Sequence, residues 1–486
     1  MIKEAVLKLG KHSLIYGLGN VATKIVAILL LPLYTAYLTP SDYGILQICN
    51  VLHSIIVIIL LMGSSSALFK VYYNESKTEN RKIILGTTII FYLISAAFLI
   101  LLLYVFRDFL SNLLIGVEQS SYLFTLIILA AYFEGLITLG MSILRANEKS
   151  ITYGIFSVCR LLIYILLNFY FVAIMHRKYI GVKEAVLISI ILSFIIMAMI
   201  VINKIKWTFK REYLKEILII GIPLAIAGLA SWILNMTDRY MLKFLLPTDI
   251  ALTQVGLYSL GSKIASFLQF ALVAPFMLSW GALMYSYQND PNAKNIYKSI
   301  LNIFTVLGGM LFILVSLFSP EILGLLSQNK DYLVAYKVVP YLTFSKLSFG
   351  IYMVFTVGVT LTKKTKYISY ANLFAALLNI ILNFIFIPKF GMIGAALASL
   401  ISFIFRTMIL YFNAQKYYHI NYNIIKVSSY LFVLLGIGII QNYYQIHLVL
   451  KFLLFIAIVT ATPLTGLVKY SQIISFWKMA MERIRK

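Results

Sequence analysis

Three observations predict an all-α, polytopic membrane fold. Of 486 residues, 61% are apolar and 12% are charged, whereas a soluble globular chain carries about 45–50% apolar and about 25% charged residues. The mean hydropathy is +0.92, so the chain lacks the polar surface that a water-soluble particle of this size needs. Apolar runs of spanning length recur from end to end. About 14 helices of ~20 residues require roughly 280 residues of chain, and the sequence holds these with short connections.

The spans are expected at 13–38, 43–66, 83–106, 120–143, 151–174, 183–202, 217–245, 256–284, 299–319, 338–361, 367–388, 391–413, 427–441 and 446–468. The thirteenth is short for a crossing. The first follows Lys3, Lys8 and Lys11 without a short apolar region and small-residue cleavage site, and reads as an uncleaved span rather than a signal peptide. The loops after the even spans hold most of the loop basic residues: Lys70, Lys77, Arg81 and Lys82, then Arg145 and Lys149, then Lys204, Lys206, Lys210, Arg211 and Lys215. Lys363, Lys364 and Lys366, and the tail with Lys469, Lys478, Arg483, Arg485 and Lys486, continue the pattern. Lys and Arg are retained on the cytoplasmic side of short loops, so an even number of spans with both termini cytoplasmic is expected. This placement accounts for the net charge of +24 without nucleic acid as a partner. Tyr72–Tyr73, Tyr417–Tyr418 and Tyr443–Tyr444 fall near span ends, as an interfacial aromatic belt would.

The second half repeats the first. Leu38-Thr39-Pro40-Ser41-Asp42 resembles Leu246-Pro247-Thr248-Asp249, Lys149-Ser150-Ile151-Thr152-Tyr153 matches Lys366-Tyr367-Ile368-Ser369-Tyr370, and Leu167-Asn168-Phe169 matches Leu382-Asn383-Phe384. Gly181, Ala185, Leu187 and Ser189 match Gly391, Ala395, Leu397 and Ser399. Six spans separate the copies, which gives both halves one orientation, a parallel repeat about an axis along the membrane normal. Such duplications place a transporter's substrate between the halves near mid-membrane. The expected organisation is a six-helix lobe at 1–202, a basic cytoplasmic linker at 203–216, a second six-helix lobe at 217–415, and two further helices with a basic tail at 416–486.

Charges inside spans are costly, ~2.5–3.5 kcal/mol each at the bilayer centre, and normally face an interior cavity. Lys24, Arg160, Arg239, Lys263, Lys346 and Arg406 lie within spans, against Glu134 and Asp238 as comparably deep acids. The cations outnumber the acids, so mutual pairing leaves positive charge over for an external anion. Polar companions share their helix faces: Gly17, Asn20 and Lys24; Tyr153, Ser157, Arg160 and Tyr164; Ser231, Asn235 and Asp238; Ser259, Lys263 and Ser266. Arg406, near a span end, is expected to snorkel to the interface. His53 reads as a packing residue, and Asn372, Asn379 and Asn383 as an interhelical hydrogen-bonding face. Cys49 and Cys159, the only cysteines, both sit in apolar helical stretches and supply neither a disulfide framework nor a metal site. No phosphate-cradling G-x-x-x-x-G-K-[ST] occurs, and no large extramembrane domain offers the carboxylates of a glycosyltransferase or polymerase.

Leu38–Gly44, Asp238-Arg239-Tyr240-Met241-Leu242, Val255-Gly256-Leu257-Tyr258-Ser259 and above all Asn379–Gly391 followed by Gly394-Ala395-Ala396 resemble a known family in their order and spacing. The chain looks like the polysaccharide-transport branch of the multidrug/oligosaccharidyl-lipid/polysaccharide exporter superfamily, the Wzx-type flippases of O-antigen and capsule repeat units. The resemblance runs from the first span through the twelfth. It implies two six-helix lobes around a cationic cavity in the bacterial cytoplasmic membrane. It also implies movement of undecaprenyl-diphosphate-linked oligosaccharide from inner to outer leaflet by alternating access, with no enzymatic chemistry. On this reading Lys24, Arg160, Lys263, Lys346 and Arg239 attract the diphosphate and Asp238 and Glu134 handle a coupling ion. Asn20, Asn235 and Asn379 add polar lining. Na+ or H+ is the coupling ion, no other cofactor is expected, and the partners are the lipid-linked glycan, membrane lipid and polysaccharide polymerase or assembly proteins. Lysines stand where lipid II-type relatives favour arginine, which leaves a point charge in place of a two-pronged phosphate contact. A lipid II flippase and a drug/cation antiporter are the alternatives, together with a non-transporting assembly scaffold.

Overall fold

The computed structural model describes residues 29–442, 444 and 446–468, and the regular structure among them is helical, with no strand. Among the described residues, eleven helices are long and apolar enough to cross a membrane, and Ile424–Ile440 is a shorter apolar helix. The protein is thus a multi-pass, all-helical membrane protein. Most of the expected first span, including Gly17, Asn20 and Lys24, lies outside the described residues, as do Tyr443 and the tail from Lys469 onwards. The chain divides into two compact units, Met1–Tyr240 and Met241–Lys486.

In the N-terminal unit, α1 (Leu31–Tyr37) leads into α2 (Pro40–Leu61). The Leu38–Gly44 motif explains itself here. Thr39 is the N-cap, its hydroxyl accepting from the Asp42 N–H, while Asp42 accepts in return from the Thr39 N–H at 3.1 Å, and Pro40 occupies the first turn, where its missing N–H costs nothing. This box starts the helix at Pro40, ahead of the expected 43. The helix then breaks, because Met62 and Gly63 both take left-handed backbone, and resumes as α3 (Ser64–Asn74). Gly63 is required at this break twice over: its φ is +71°, and a Cβ there would run into the backbone carbonyl of Gly221.

The remaining helices of this unit are α4 (Thr78–Val105), α5 (Arg107–Leu114), α6 (Ser120–Ala146), α7 (Ser150–Asn168), α8 (Lys178–Val201) and most of α9 (Arg211–Leu245). A π-helical segment, Phe169–Ile174, extends α7. α6 is the core helix: it packs on α2, α3, α4, α5 and α8, and 67% of its most apolar stretch is buried. The basic linker is stitched to α4 rather than trailing in solvent. Lys206 N–H donates to the Lys82 carbonyl, Lys210 N–H to Thr87 Oγ1, and Lys206 Nζ pairs with Glu79 at 2.6 Å.

The C-terminal unit opens with α10 (Thr248–Leu268), which continues through a π-helical turn into α11 (Ala274–Ser286). Then follow α12 (Ala293–Leu317), α13 (Ser319–Leu326), α14 (Val339–Leu361), α15 (Lys366–Tyr417), α16 (Ile424–Ile440) and α17 (Leu448–Ala461). α14 and the 3₁₀ turn before it form the centre, with 83% of their most apolar stretch buried against 11% at Leu448–Thr465. α14 packs on α10, α12, α15 and α16. The expected eleventh and twelfth spans are the two arms of α15, which break at Gly391 (φ 56°, ψ −132°), a conformation closed to residues with a Cβ. Gln254 Oε1 accepts from the Met392 N–H at 3.0 Å and so satisfies a donor exposed by the break.

Matched positions of the repeat share local roles. Lys149–Tyr153 and Lys366–Tyr370 each open a helix, and Asn168 and Asn383 are each fully buried. The tyrosine pair at 72–73 departs from the expected belt. Tyr73 is exposed, but Tyr72 is buried, under the Arg81 guanidinium at 5.1 Å and bonded to Asn147 at 3.2 Å.

Candidate functional site: a polar cluster inside the N-terminal helices

The predicted pair Arg160 and Glu134 meet in an ion pair between α7 and α6, with side chains 30% and 18% exposed. Around them the fold gathers groups from two further helices. His53 on α2 hydrogen-bonds the Ala130 backbone and stands in the electrostatic field of Glu134, Lys183 and Arg160. Its Nε2 is buried with no hydrogen-bond partner among the described residues. Lys183 on α8 is buried and donates to Asn50 Oδ1 on α2 at 2.7 Å.

Four helices thus place one carboxylate and two cations within electrostatic range of one imidazole, with a formal excess of one positive charge. Around the cluster, Ile128, Ile137 and Ile190 on α6 and α8 are buried, while α7 leaves Ile155, Val158 and Leu162 exposed. Polar satisfaction continues along α7: Ser157 bonds back to the Tyr153 carbonyl, and Tyr164 meets Tyr34, whose hydroxyl donates to Asn168 at 2.8 Å. A second carboxylate, Glu184, is held by Tyr122 at 2.7 Å and Arg177 at 3.1 Å.

The other predicted residues fall elsewhere. Asp238 and Arg239 are buried near the end of α9, while Asn235 is exposed and bonds back to the Ser231 carbonyl. Lys263 on α10 is half-buried. Asn379 is fully buried beside Asn383, whose Nδ2 donates to Asn379 Oδ1 at 3.1 Å. Lys346 on α14 lies over the Phe403 ring at 5.6 Å. Arg406 does not snorkel: it is 5% exposed and packed against Phe349, Tyr352 and Phe403, because its helix face turns toward α14 instead of toward lipid. Lys24 and Asn20 lie outside the described residues.

Sequence reasoning missed Lys183 and Lys451. Lys183 stands at the edge of its apolar run, where a lysine reads as interfacial. Lys451, one turn into α17, is buried and pairs with Glu321 at 2.6 Å. Among the described residues no group of three or more His, Cys, Asp and Glu could hold a metal ion.

The comparisons with known proteins agree with this architecture. The profile of polysaccharide biosynthesis proteins matches residues 9–280, and that of MatE proteins matches residues 223–385. No curated protein sequence matches the chain. Among solved structures, the lipid II flippase MurJ in an inward-closed conformation superposes with a TM-score of 0.71 at 20% identity, over 92% of this chain and 98% of that one. An inward-facing multidrug-resistance MATE transporter of the MOP superfamily gives 0.66 at 14% identity, over 84% and 95%. A MOP superfamily transporter from Pyrococcus furiosus, described as having a binding pocket of reversed polarity, gives 0.55 at 14% identity, over 87% and 96%. At these identities the likeness is one of fold. With a family match over more than half its length, the chain belongs to the polysaccharide biosynthesis protein family.

Proposed function

We propose that this protein is a flippase for undecaprenyl-diphosphate-linked oligosaccharide repeat units, carrying them from the inner to the outer leaflet of the bacterial cytoplasmic membrane by alternating access. The observation that carries the reading is the cationic excess within the helices. Glu134 offsets one of the two positive charges of Arg160 and Lys183, and buried charge of this kind is retained in membranes where it serves a pathway. Family membership supplies the glycan context.

On this proposal, Lys24, Arg160, Lys263, Lys346 and Arg239 attract the diphosphate, and Asn20, Asn235 and Asn379 offer partners to sugar hydroxyls. Each hydroxyl left unpaired in hydrocarbon costs several kcal/mol, so a polar route lowers the barrier while the lipid tail stays in the bilayer. Na+ or H+ exchange at Asp238 or Glu134 resets the cycle. Both termini are cytoplasmic, and polymerase and assembly proteins receive the delivered glycan.

The structural likeness to a lipid II flippase favours a second reading, in which the cargo is lipid II, because the diphosphate is common to both. Reconstitution into liposomes separates them. Labelled diphospholipid oligosaccharide and labelled lipid II are scored for leaflet exchange with and without Na+ and H+ gradients. Gradient-dependent exchange of the oligosaccharide lipid supports the proposal. Exchange of lipid II alone transfers it to the second reading, and exchange of neither refutes both.

A further inference from the structure

We infer that Arg406 and the aromatic rings around it form an oxyanion site inside the C-terminal unit, distinct from the Arg160 cluster. Arg406, on the second arm of α15, is 5% exposed. Its guanidinium carbon lies 4.4 Å from the Tyr352 ring centre, 4.6 Å from Phe403 and 4.8 Å from Phe349. No carboxylate pairs with it among the described residues. One long contact, 3.4 Å, runs from Nη1 to Asn372 Oδ1. Nε and Nη2 are buried and have no hydrogen-bond partner among the described residues.

Those two nitrogens lie along one edge of the guanidinium and form the fork that matches both oxygens of a carboxylate or phosphate. Leaving two donors of a buried cation unmet costs more than a neutral orphan would, so a partner that fills the fork gains both bonds at once. Three rings offset part of the charge but leave Nε and Nη2 without an acceptor among the described residues. Lys346, over the same Phe403 ring at 5.6 Å, adds a second positive charge to the field an anion meets. The position is anchored, since the neighbouring Thr407 hydroxyl bonds the Ser348 carbonyl at 3.0 Å and ties this arm of α15 to α14. The fork is covered in this conformation, with Arg406 5% exposed, so an anion reaches it by displacing packed side chains. The ligand class is therefore a two-oxygen acid group, as found on an acidic sugar or a phosphorylated headgroup.

This inference stands apart from the flippase reading, because binding is measured without transport. Full-length protein in detergent is titrated with inorganic phosphate, inorganic pyrophosphate or glucuronate at constant ionic strength set with chloride, and thermal unfolding is followed. The expected result is a saturable rise in Tm with at least one oxyanion, and an affinity reduced about tenfold or more in Arg406→Lys, which keeps the charge and loses the fork. Preference for glucuronate assigns the site to acidic sugars; preference for the phosphates assigns it to the headgroup. If Arg406→Lys does not fold, Lys346→Gln carries the test, with affinity falling severalfold. Absence of saturable protection by all three anions, or affinity unchanged in the folded variants, overturns the inference.

Discussion

Replacing Glu134 with Gln tests whether the intramembrane pair is held by charge. Glu134 and Arg160 are partly buried, at 18% and 30% side-chain exposure, so neither the water limit nor the dry-interior limit applies. At an effective dielectric near 20, contact between unit charges is worth about 4 kcal/mol. Truncating one partner of a fully buried pair costs about 3–5 kcal/mol. The exposure of Arg160 lowers this, and about 2 kcal/mol is expected for Glu134→Gln. For a unit of this size that corresponds to roughly 4–8 °C in Tm. The reverse change should cost less, because Arg160→Gln leaves the Glu134 charge to offset Lys183 at His53, whereas Glu134→Gln leaves two cations acting on His53 with no acid to offset them. A double-mutant cycle, read by thermal unfolding in one detergent, should return a coupling of about 1–2 kcal/mol. Additive single effects, or a larger loss from Arg160→Gln than from Glu134→Gln, would refute the electrostatic account of the cluster.

Gly63→Ala forces a Cβ into the Gly221 carbonyl at a left-handed position; the backbone term alone is about 1–2 kcal/mol, and a fall in Tm with reduced yield of folded protein should follow. Wild-type stability would mean that α2 and α9 separate freely there. In the C-terminal unit, Glu321→Gln strands the buried Lys451 and is expected to cost about 2 kcal/mol, while Glu321→Leu with Lys451→Met should return most of it; equal losses from the single and double changes would argue against a paired charge. Outside the spans, the backbone N–H of Lys77 and then the Tyr213 hydroxyl and Asn80 amide hold the Glu75 carboxylate below the ordinary glutamate range. A depressed folded pKa stabilises above the unfolded value and is lost as pH falls through the folded one, so Tm should drop on acidification below about pH 4. Glu75→Gln should flatten that drop, and an identical acid limb in the variant would remove Glu75 from the account.

Hydropathy located the helices because a lipid-facing residue must be apolar whatever the fold. The Thr39–Asp42 box and the break at Gly391 sit where the motifs place them, since capping and left-handed backbone are local demands. Partnering within the bundle was less legible. Arg160 and Glu134 are both deep in sequence, yet their meeting depends on how α6 and α7 rotate against one another. Lys183 reads as interfacial by its place in the apolar run, and is buried because Asn50 on α2 supplies an acceptor. Arg406 reads as a snorkelling residue by depth alone; direction around the helix decided otherwise, and that direction was set by aromatic residues of α14 some fifty positions away. Tyr72 shows the same limit, since an interfacial depth does not distinguish a ring facing lipid from one facing Asn147.

Leaflet exchange of a labelled diphospholipid oligosaccharide in liposomes, compared between wild type and the triple variant Lys24→Gln, Arg160→Gln, Lys263→Gln at equal reconstituted amounts, tests the central claim most directly. Exchange by the wild type and its loss in the folded triple variant is the predicted result. Undiminished exchange by the triple variant would contradict a cationic passage for the diphosphate.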